Sequence, residues 1–342
     1  MSLVPGELKN QVVQSQWYRA LAKYEKPDVR KAIGQLFNTF IPYIALWVVM
    51  VWIIRQHLSL WFLCPLVALA AGLLVRVFIF QHDCGHGSFL ASHKANRLLG
   101  YLCGVLTFTP YDDWKHEHAA HHAAAQDLDR RGMGDIPTMT VEEYRNASLL
   151  KRWYYRLFRH PFFLFLVGPA IQFVIVHRFP HRRAGKRERM SVLITNLALV
   201  SQVLIASWTI GLRTYLLIQM PIIVIAAAMG VWLFYVQHQY EDTYWAPHED
   251  WDPIRAALEG SSHYRLPKIL QWFSGNIGLH HIHHLRPRIP NYHLQQCYDE
   301  IPELQKARSL TLWESLRCMG LNLWDEQNRR LVSFRALRAQ RK

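Results

Sequence analysis

Cysteine is scarce in this chain and nowhere arranged for chemistry: Cys64, Cys84, Cys103, Cys297 and Cys318 form no C-x-x-C pair and no even framework. That spacing excludes a cysteine-ligated zinc or iron–sulfur site and fits a reducing compartment. Acidic residues are also in the minority, 25 Asp and Glu against 39 Lys and Arg. No E-x-x-H pair occurs, which excludes the glutamate-rich dinuclear sites of helical bundles. The first ten residues lack the apolar core of a secretory signal, so membrane insertion is expected to rely on internal segments.

What the chain has instead is apolar residues in long runs, 51% of a sequence of 342 residues. The runs 37–54 and 58–80 are each long enough to cross roughly 30 Å of hydrocarbon. They are joined through Arg55, Gln56 and His57 as a hairpin. The runs 192–212 and 215–236 repeat the arrangement around Arg213. Two further stretches, 98–109 and 161–176, are short for a span. The fold class expected is all-α and polytopic, with four transmembrane helices in two hairpins beneath a cytosolic helical cap. A single domain, 1–342, is expected to contain an interfacial lead-in (1–36), hairpin one (37–80), a cytosolic region (81–190), hairpin two (192–236) and a second cytosolic region (237–342).

Charge supports one orientation. Of the 39 Lys and Arg, 36 fall outside the two hairpins, the exceptions being Arg55, Arg76 and Arg213. The positive-inside rule then places those regions and both termini on the cytoplasmic face. The formal charge of +14 favours an anionic membrane surface. Nucleic-acid binding is the competing reading of a basic chain, but no fold signature supports it. Arg76 lies about one turn from the helix end and is expected to snorkel. The tail 329–342, with Leu331, Val332, Phe334 and Leu337 among basic residues, reads as a surface helix on lipid.

Histidine is the other excess, 19 residues, and it recurs in one pattern. His82-Asp83-Cys84-Gly85-His86 comes first, then His118-Ala119-Ala120-His121-His122, then His280-His281-Ile282-His283-His284. On a helix, residues three and four apart share a face, so each box is expected to aim its imidazoles at one point. Chance clustering on a surface would explain one such box, not three. Neutral imidazoles bind zinc, copper, nickel or iron, and eight of them exceed what one mononuclear centre takes. Two metals are therefore expected. His238 ends the fourth apolar run as box one ends the second, which makes it a ninth candidate. His116, His281 and His293 lie near boxes but off their spacing, and the remaining histidines, His248 among them, read as ordinary loop or interface residues. Asp83, Asp112, Asp113, Glu117, Glu241 and Asp242 lie beside the boxes and are candidates to orient the imidazoles, Glu241 or Asp242 being the one expected at His238.

The boxes HDCGH, HAAHH and HHIHH, spaced across two hairpins, resemble those of the membrane fatty acid desaturases. The resemblance runs from about Phe37 to about Asp299. Gly275-Asn276-Ile277-Gly278-Leu279 before box three, and Arg288-Ile289-Pro290-Asn291-Tyr292 after it, are similar to the acyl-lipid Δ12 or ω6 branch. The resemblance implies two Fe ions held by His82, His86, His118, His121, His122, His280, His283 and His284, with His238 as a further ligand. It implies an oxidoreductase that uses O₂ and two electrons to place a cis double bond in the acyl chain of a membrane lipid. A hydroxylase of alkyl, sterol or carotenoid substrates shares such boxes, and a metal transporter is the alternative of another class. No His-Pro-Gly-Gly haem motif occurs, so a separate electron donor of ferredoxin or cytochrome b5 type is implied. Arg152, Arg156, Arg159, Arg182, Arg183 and Lys186 are candidates for its docking patch. Phe89, Tyr111, Trp114, Tyr240, Tyr244, Trp245, Trp272 and Phe273 are candidates to line an acyl tunnel.

Overall fold

A computed structural model describes residues 7–132 and 134–339 of the chain. Two short helices, α1 (Glu7–Gln14) and α2 (Gln16–Ala20), lead through a 3₁₀ turn to α3 (Val29–Arg55). The carboxylate of Asp28 caps α3 by accepting from the amides of Arg30 and Lys31. The first long helix therefore begins eight residues before the apolar run and takes those basic residues into its first turn. Helix α4 (Leu63–His86) carries box one on its last turns. It stops there because Gly87 adopts φ 69°, and the amides of Gly87 and Ser88 return to the carbonyls of Cys84 and Asp83. A side chain at this left-handed position is strained, so the glycine that follows the box ends the helix.

Helix α5 (His93–Leu106) starts at the Ser92 cap, ahead of the apolar stretch, and α6 (Tyr111–Ala124) carries box two. Helices α7 (Val141–Asn146) and α8 (Leu149–Phe158) follow. The stretch after α8 opens with a π-helical turn at Phe163–Val167, passes into α9 (Gly168–Val174), and bends by 62° against α8. The second hairpin is α10 (Lys186–Thr209) and α11 (Leu212–His238). Because α4 ends in box one and α11 ends at His238, next to the same histidines, residues 87–185 begin and end on one side. The α5 and α8–α9 segments make no net crossing. Four helices among the described residues are long and apolar enough to span a membrane.

Helix α4 is the centre of the bundle, its apolar window being 61% buried against 22% for α3 and for α10. Lipid tails offer no hydrophobic drive between helices, so close packing decides the arrangement. Gly72 on α4 allows this: a Cβ there would meet the Phe273 ring at 2.9 Å. On α3 the exposed Ile33, Phe37, Ile41, Ile44, Val48 and Trp52 recur at helical spacing and mark its lipid face.

The remaining chain builds the cap from α12 (Pro253–Leu258), α13 (Lys268–Phe273), α14 (His280–Leu285), α15 (Asn291–Glu300), α16 (Leu312–Cys318) and α17 (Phe334–Ala339). Five short strands, absent from the all-helical expectation for the cap, tie it together. β1 (Met139–Thr140) pairs in parallel with β4 (Leu323–Asp325), which pairs antiparallel with β5 (Arg330–Val332). β2 (His263–Arg265) pairs in parallel with β3 (Ser309–Thr311). The fold remains mostly helical.

Two sequence expectations are corrected here. The tail is no free lipid-surface helix: Leu331, Val332 and Leu337 are buried, β5 and α17 packing Val332 and Leu337 against Val141 and Tyr144. Its residues 340–342 lie outside the described residues. Arg76 does not snorkel; it is 3% exposed, donates to Thr39 Oγ1 at 3.0 Å and to the Trp272 carbonyl, and lies 4.2 Å from the Trp272 ring. It joins α3, α4 and α13, and satisfying its donors inside the protein removes the need to reach water. Within the lead-in, Leu21 and Tyr24 are buried against Leu279, Ile282, Leu285 and Leu294, so this segment packs onto the box-three cap.

Candidate metal centre

Four elements bring the nine candidate histidines together: the ends of α4 and α11, helix α6, and the short helix α14. Their ring nitrogens form two groups, His82, His86, His118, His122 and His283 in one and His121, His238, His280 and His284 in the other, each with its atoms within 4.8 Å of one another. Boxes two and three are thus divided between the groups, contrary to the expectation that each aims at one point. Adjacent positions on a helix differ by about 100°, so His121 and His122 diverge although each shares a face with His118. The same rotation sends His283 to the first group and His284 to the second.

Within each group the Nε2 atoms face one another. His82–His283 and His86–His118 are 3.0 Å apart, His118–His122 is 3.2 Å and His122–His283 is 2.9 Å. In the second group, His121–His238 is 3.2 Å, His238–His280 is 3.0 Å and His280–His284 is 3.1 Å. An ion with bonds of roughly 2.0–2.1 Å to nitrogen holds neighbouring nitrogens about 3 Å apart, so the donors fit one cation per group.

The outer nitrogens support that reading. His82 Nδ1 is 3.0 Å from Asp83 Oδ1, and His121 Nδ1 is 2.5 Å from Asp135 Oδ1. His238 Nδ1 donates to the Gly260 carbonyl at 3.1 Å, with the Gln126 amide 2.9 Å away. A proton held at Nδ1 leaves Nε2 as a lone pair directed into the cluster. Burial holds His118, His122, His280, His283 and His284 well below the ordinary imidazole pKa, and neighbouring imidazoles push the same way. Neutral imidazole is the ligating form.

Several expectations about the surroundings change. Of the six carboxylates read from the sequence, Asp83 alone hydrogen-bonds a box histidine among the described residues. Asp112 accepts from Arg97 and Tyr101, Asp113 contacts His181, and Glu241 pairs with Arg330. At His238, the Gly260 carbonyl takes the place expected for Glu241 or Asp242. Asp135 was missed. The signal available was Gly134, at φ 72°, where a Cβ would meet the Glu117 carbonyl at 2.7 Å and His121 Cβ at 3.0 Å. That glycine lets the loop lie against α6 so that Asp135 reaches His121.

The off-spacing histidines hold structural contacts: His281 Nε2 is 3.0 Å from the Leu304 carbonyl, and His293 Nδ1 is 2.9 Å from that of Tyr24. His116 stacks on His181. His248 is bound by Asp127 and Arg130.

An apolar cavity of about 520 Å³ lies between α4, α9 and α11 and reaches His82, His118 and His280, and so both groups. Its walls include Leu74, Phe78, Phe173, Ile223, Leu233 and Phe234. Of the eight aromatic residues expected at a tunnel, only Trp114 lines it, stacked 4.6 Å from the His118 ring. The others face the cap or pack between helices; Phe89, for example, is fully buried against Phe80. Of the basic residues expected at a donor surface, Arg182, Arg183 and Lys186 are exposed. Arg152 and Arg156 bond within the cap, and Arg159 is 1% exposed.

Residues 57–315 match the family profile described as fatty acid desaturase. A fatty acid desaturase of Bacillus subtilis (strain 168) is 43% identical over 325 residues, covering 95% of this chain and 92% of that one. An endoplasmic-reticulum omega-3 fatty acid desaturase of Vigna radiata is 29% identical, covering 69% of this chain and 64% of its own length. An sn-1 oleoyl-lipid 12-desaturase of Synechocystis is 25% identical, covering 71% and 69%.

Proposed function

From the premise that this chain belongs to the fatty acid desaturase family and is an oxidoreductase, we propose that it desaturates acyl chains carried by membrane lipids at a two-iron centre. The observation that carries the proposal is an apolar cavity ending at two groups of inward-facing imidazoles. His82, His86, His118, His122 and His283 would hold one iron, and His121, His238, His280 and His284 the other. Iron held there supplies O₂ reduction and the oxidising power needed against an unactivated C–H bond. The balance is –CH₂–CH₂– plus O₂, two electrons and two protons, giving –CH=CH– and two waters.

The protein's part is placement. The walls of α4, α9 and α11 exclude water and hold an extended chain; Trp114 fixes the His118 ring beside it. Asp83, Asp135 and Gly260 hold protons at the outer nitrogens of their histidines. The electrons come from a separate donor of ferredoxin or cytochrome b5 type. The histidine end and both termini face the cytoplasm, a reading supported by the distribution of Lys and Arg. The whole chain acts as one membrane domain with the five segments set out above.

The finer form of the proposal is a Δ12/ω6-type position for the double bond. Relatives named as 12-desaturases and as omega-3 desaturases match over similar shares of the chain, which supports the acyl-lipid class in general. Lipid profiling by gas chromatography, in a host with only saturated and Δ9-monounsaturated chains, tests both levels. A new diene with its second bond at Δ12 supports the finer form; a double bond elsewhere removes it and keeps the class. A hydroxylated chain would replace desaturation by the hydroxylase reading.

A further inference from the structure

We propose that Arg159 is a positioning residue for the second histidine group: it fixes the two backbone segments that bring His121 and His238 to one ion. The inference rests on the two-iron reading above.

A guanidinium that is 1% exposed is costly to bury and ordinarily sits against a carboxylate. The acceptors of Arg159 are all uncharged and come from three separate pieces of chain. Nη1 donates to the Pro137 carbonyl at 3.2 Å and lies 3.5 Å from Thr138 Oγ1. Nη2 donates to Gln239 Oε1 at 3.0 Å, to the Leu321 carbonyl at 2.8 Å and to Tyr235 Oη at 3.3 Å. Thr138 Oγ1 in turn lies 3.0 Å from the Ile136 carbonyl and 3.3 Å from Gln239 Oε1, sharing its one proton between them, and the Tyr235 hydroxyl is shared between the carbonyls of Cys318 and Leu321. A planar fork of donors sets these pieces in one fixed relation, which a point charge on a flexible stem does not.

The pieces so joined are the ones that support one histidine group. Pro137 lies two residues after Asp135, whose carboxylate holds His121 Nδ1 at 2.5 Å. Tyr235 lies one helical turn before His238 and Gln239 directly after it. Asp135, Ile136, Phe234, His238 and Gln239 line one small enclosed space, so the two segments abut there. The first group is supported elsewhere. Its His82 is held by Asp83, whose other oxygen accepts from the Asn291 backbone amide at 2.7 Å and side-chain amide at 2.8 Å. Arg159 hydrogen-bonds nothing in that chain of contacts. The supports of the two groups are therefore separable.

The test is metal stoichiometry together with ferrous-ion titration of metal-stripped protein in detergent, on the full chain and on Arg159→Met, Arg159→Lys and Arg156→Met. Arg156 lies on α8, which Arg159 caps at its C-terminal end, but bonds Tyr144 and packs on Phe334, away from both groups. The expected result is two irons in the parent and in Arg156→Met, and close to one in both Arg159 variants. The weaker site should lose about 10- to 100-fold in affinity while the other is unchanged. Retention of two irons by Arg159→Met overturns the proposal. Loss of both irons together, or failure of both Arg159 variants to fold, also overturns it, since Arg159 is then a general staple of the cap. Equal loss in Arg156→Met does the same. A parent protein that binds fewer than two irons sinks the two-iron reading itself, a different result from any of these.

Discussion

Gly230 offers a direct measure of what the apolar cavity does. It lines the cavity on α11, eight residues and therefore about 12 Å before His238, and a Cβ built on it meets nothing within 4 Å. Gly230→Leu should place its side chain in the cavity without straining the helix, and helix propensity changes in its favour by up to about 1 kcal/mol. A leucine side chain takes the room of about four methylenes. At about 0.8 kcal/mol for each methylene kept from an apolar site, a chain long enough to reach Gly230 loses roughly 3 kcal/mol, about two orders of magnitude in selection. Chains that end short of it lose nothing. The assay is competition between long and short acyl chains in one membrane, with products separated by gas chromatography. The expected result is a ratio shifted about a hundredfold toward short chains at normal iron content. A uniform fall across all lengths, or an unchanged ratio, would refute the placement of the acyl chain beside α11.

The other predictions use the histidine groups. His238→Ala should lower iron from two per chain towards one and abolish turnover, whereas His248→Ala, whose ring is bound by Asp127 and Arg130, should change neither; iron analysis beside an activity assay decides. Asn291→Ala removes the side-chain donor from Asp83, the backbone amide at 291 remaining, and should weaken the first group about 10-fold, read as one weakened site in a ferrous titration. Burial depresses the folded-state pKa of His118, His122, His280, His283 and His284, so below about pH 6.5 the unfolded chain takes up protons that the folded protein does not. Stability should be level above pH 7 and fall as the pH drops through 6.5, by at most about 1.4 kcal/mol per pH unit for each imidazole; equal unfolding temperatures at pH 7.5 and 5.5 would contradict this.

What could be read from the sequence was local in the chain. Apolar runs of spanning length gave the two hairpins, and the place of box one and His238 at the ends of two runs gave their position on helix extensions, because each inference needs only helical rise and spacing. Helix ends were less legible. Asp28 and Ser92 start their helices in polar sequence ahead of the apolar run, where a hydropathy pattern gives no sign. The division of boxes two and three was open to calculation, since 100° per residue separates His121 from His122, but which group each ring joins depends on where α14 lies. That position is set by contacts from the lead-in, Leu21 and Tyr24 against Ile282 and Leu285, across more than 250 residues of chain.

The charged groups were the hardest to place, and for a physical reason. Sequence position separates a residue that belongs beside the membrane from one that belongs within it, yet it does not say which acceptors fold over the charge. Arg76 and Arg159 both read as surface or snorkelling cations and are both 3% exposed or less, one closed over by Thr39 and the Trp272 carbonyl, the other by five acceptors from three segments. Asp135 is the same case with the sign reversed, since nothing near His121 in sequence announces it except the glycine that precedes it. Each of these groups joins pieces of chain that are remote in sequence, and each finds its partners only when those pieces meet. The local pattern of the boxes supplies the donors; the geometry that makes two sites of them comes from the long-range polar contacts, and for that reason variants at Arg159 and Asn291, rather than at the boxes, distinguish one site from the other.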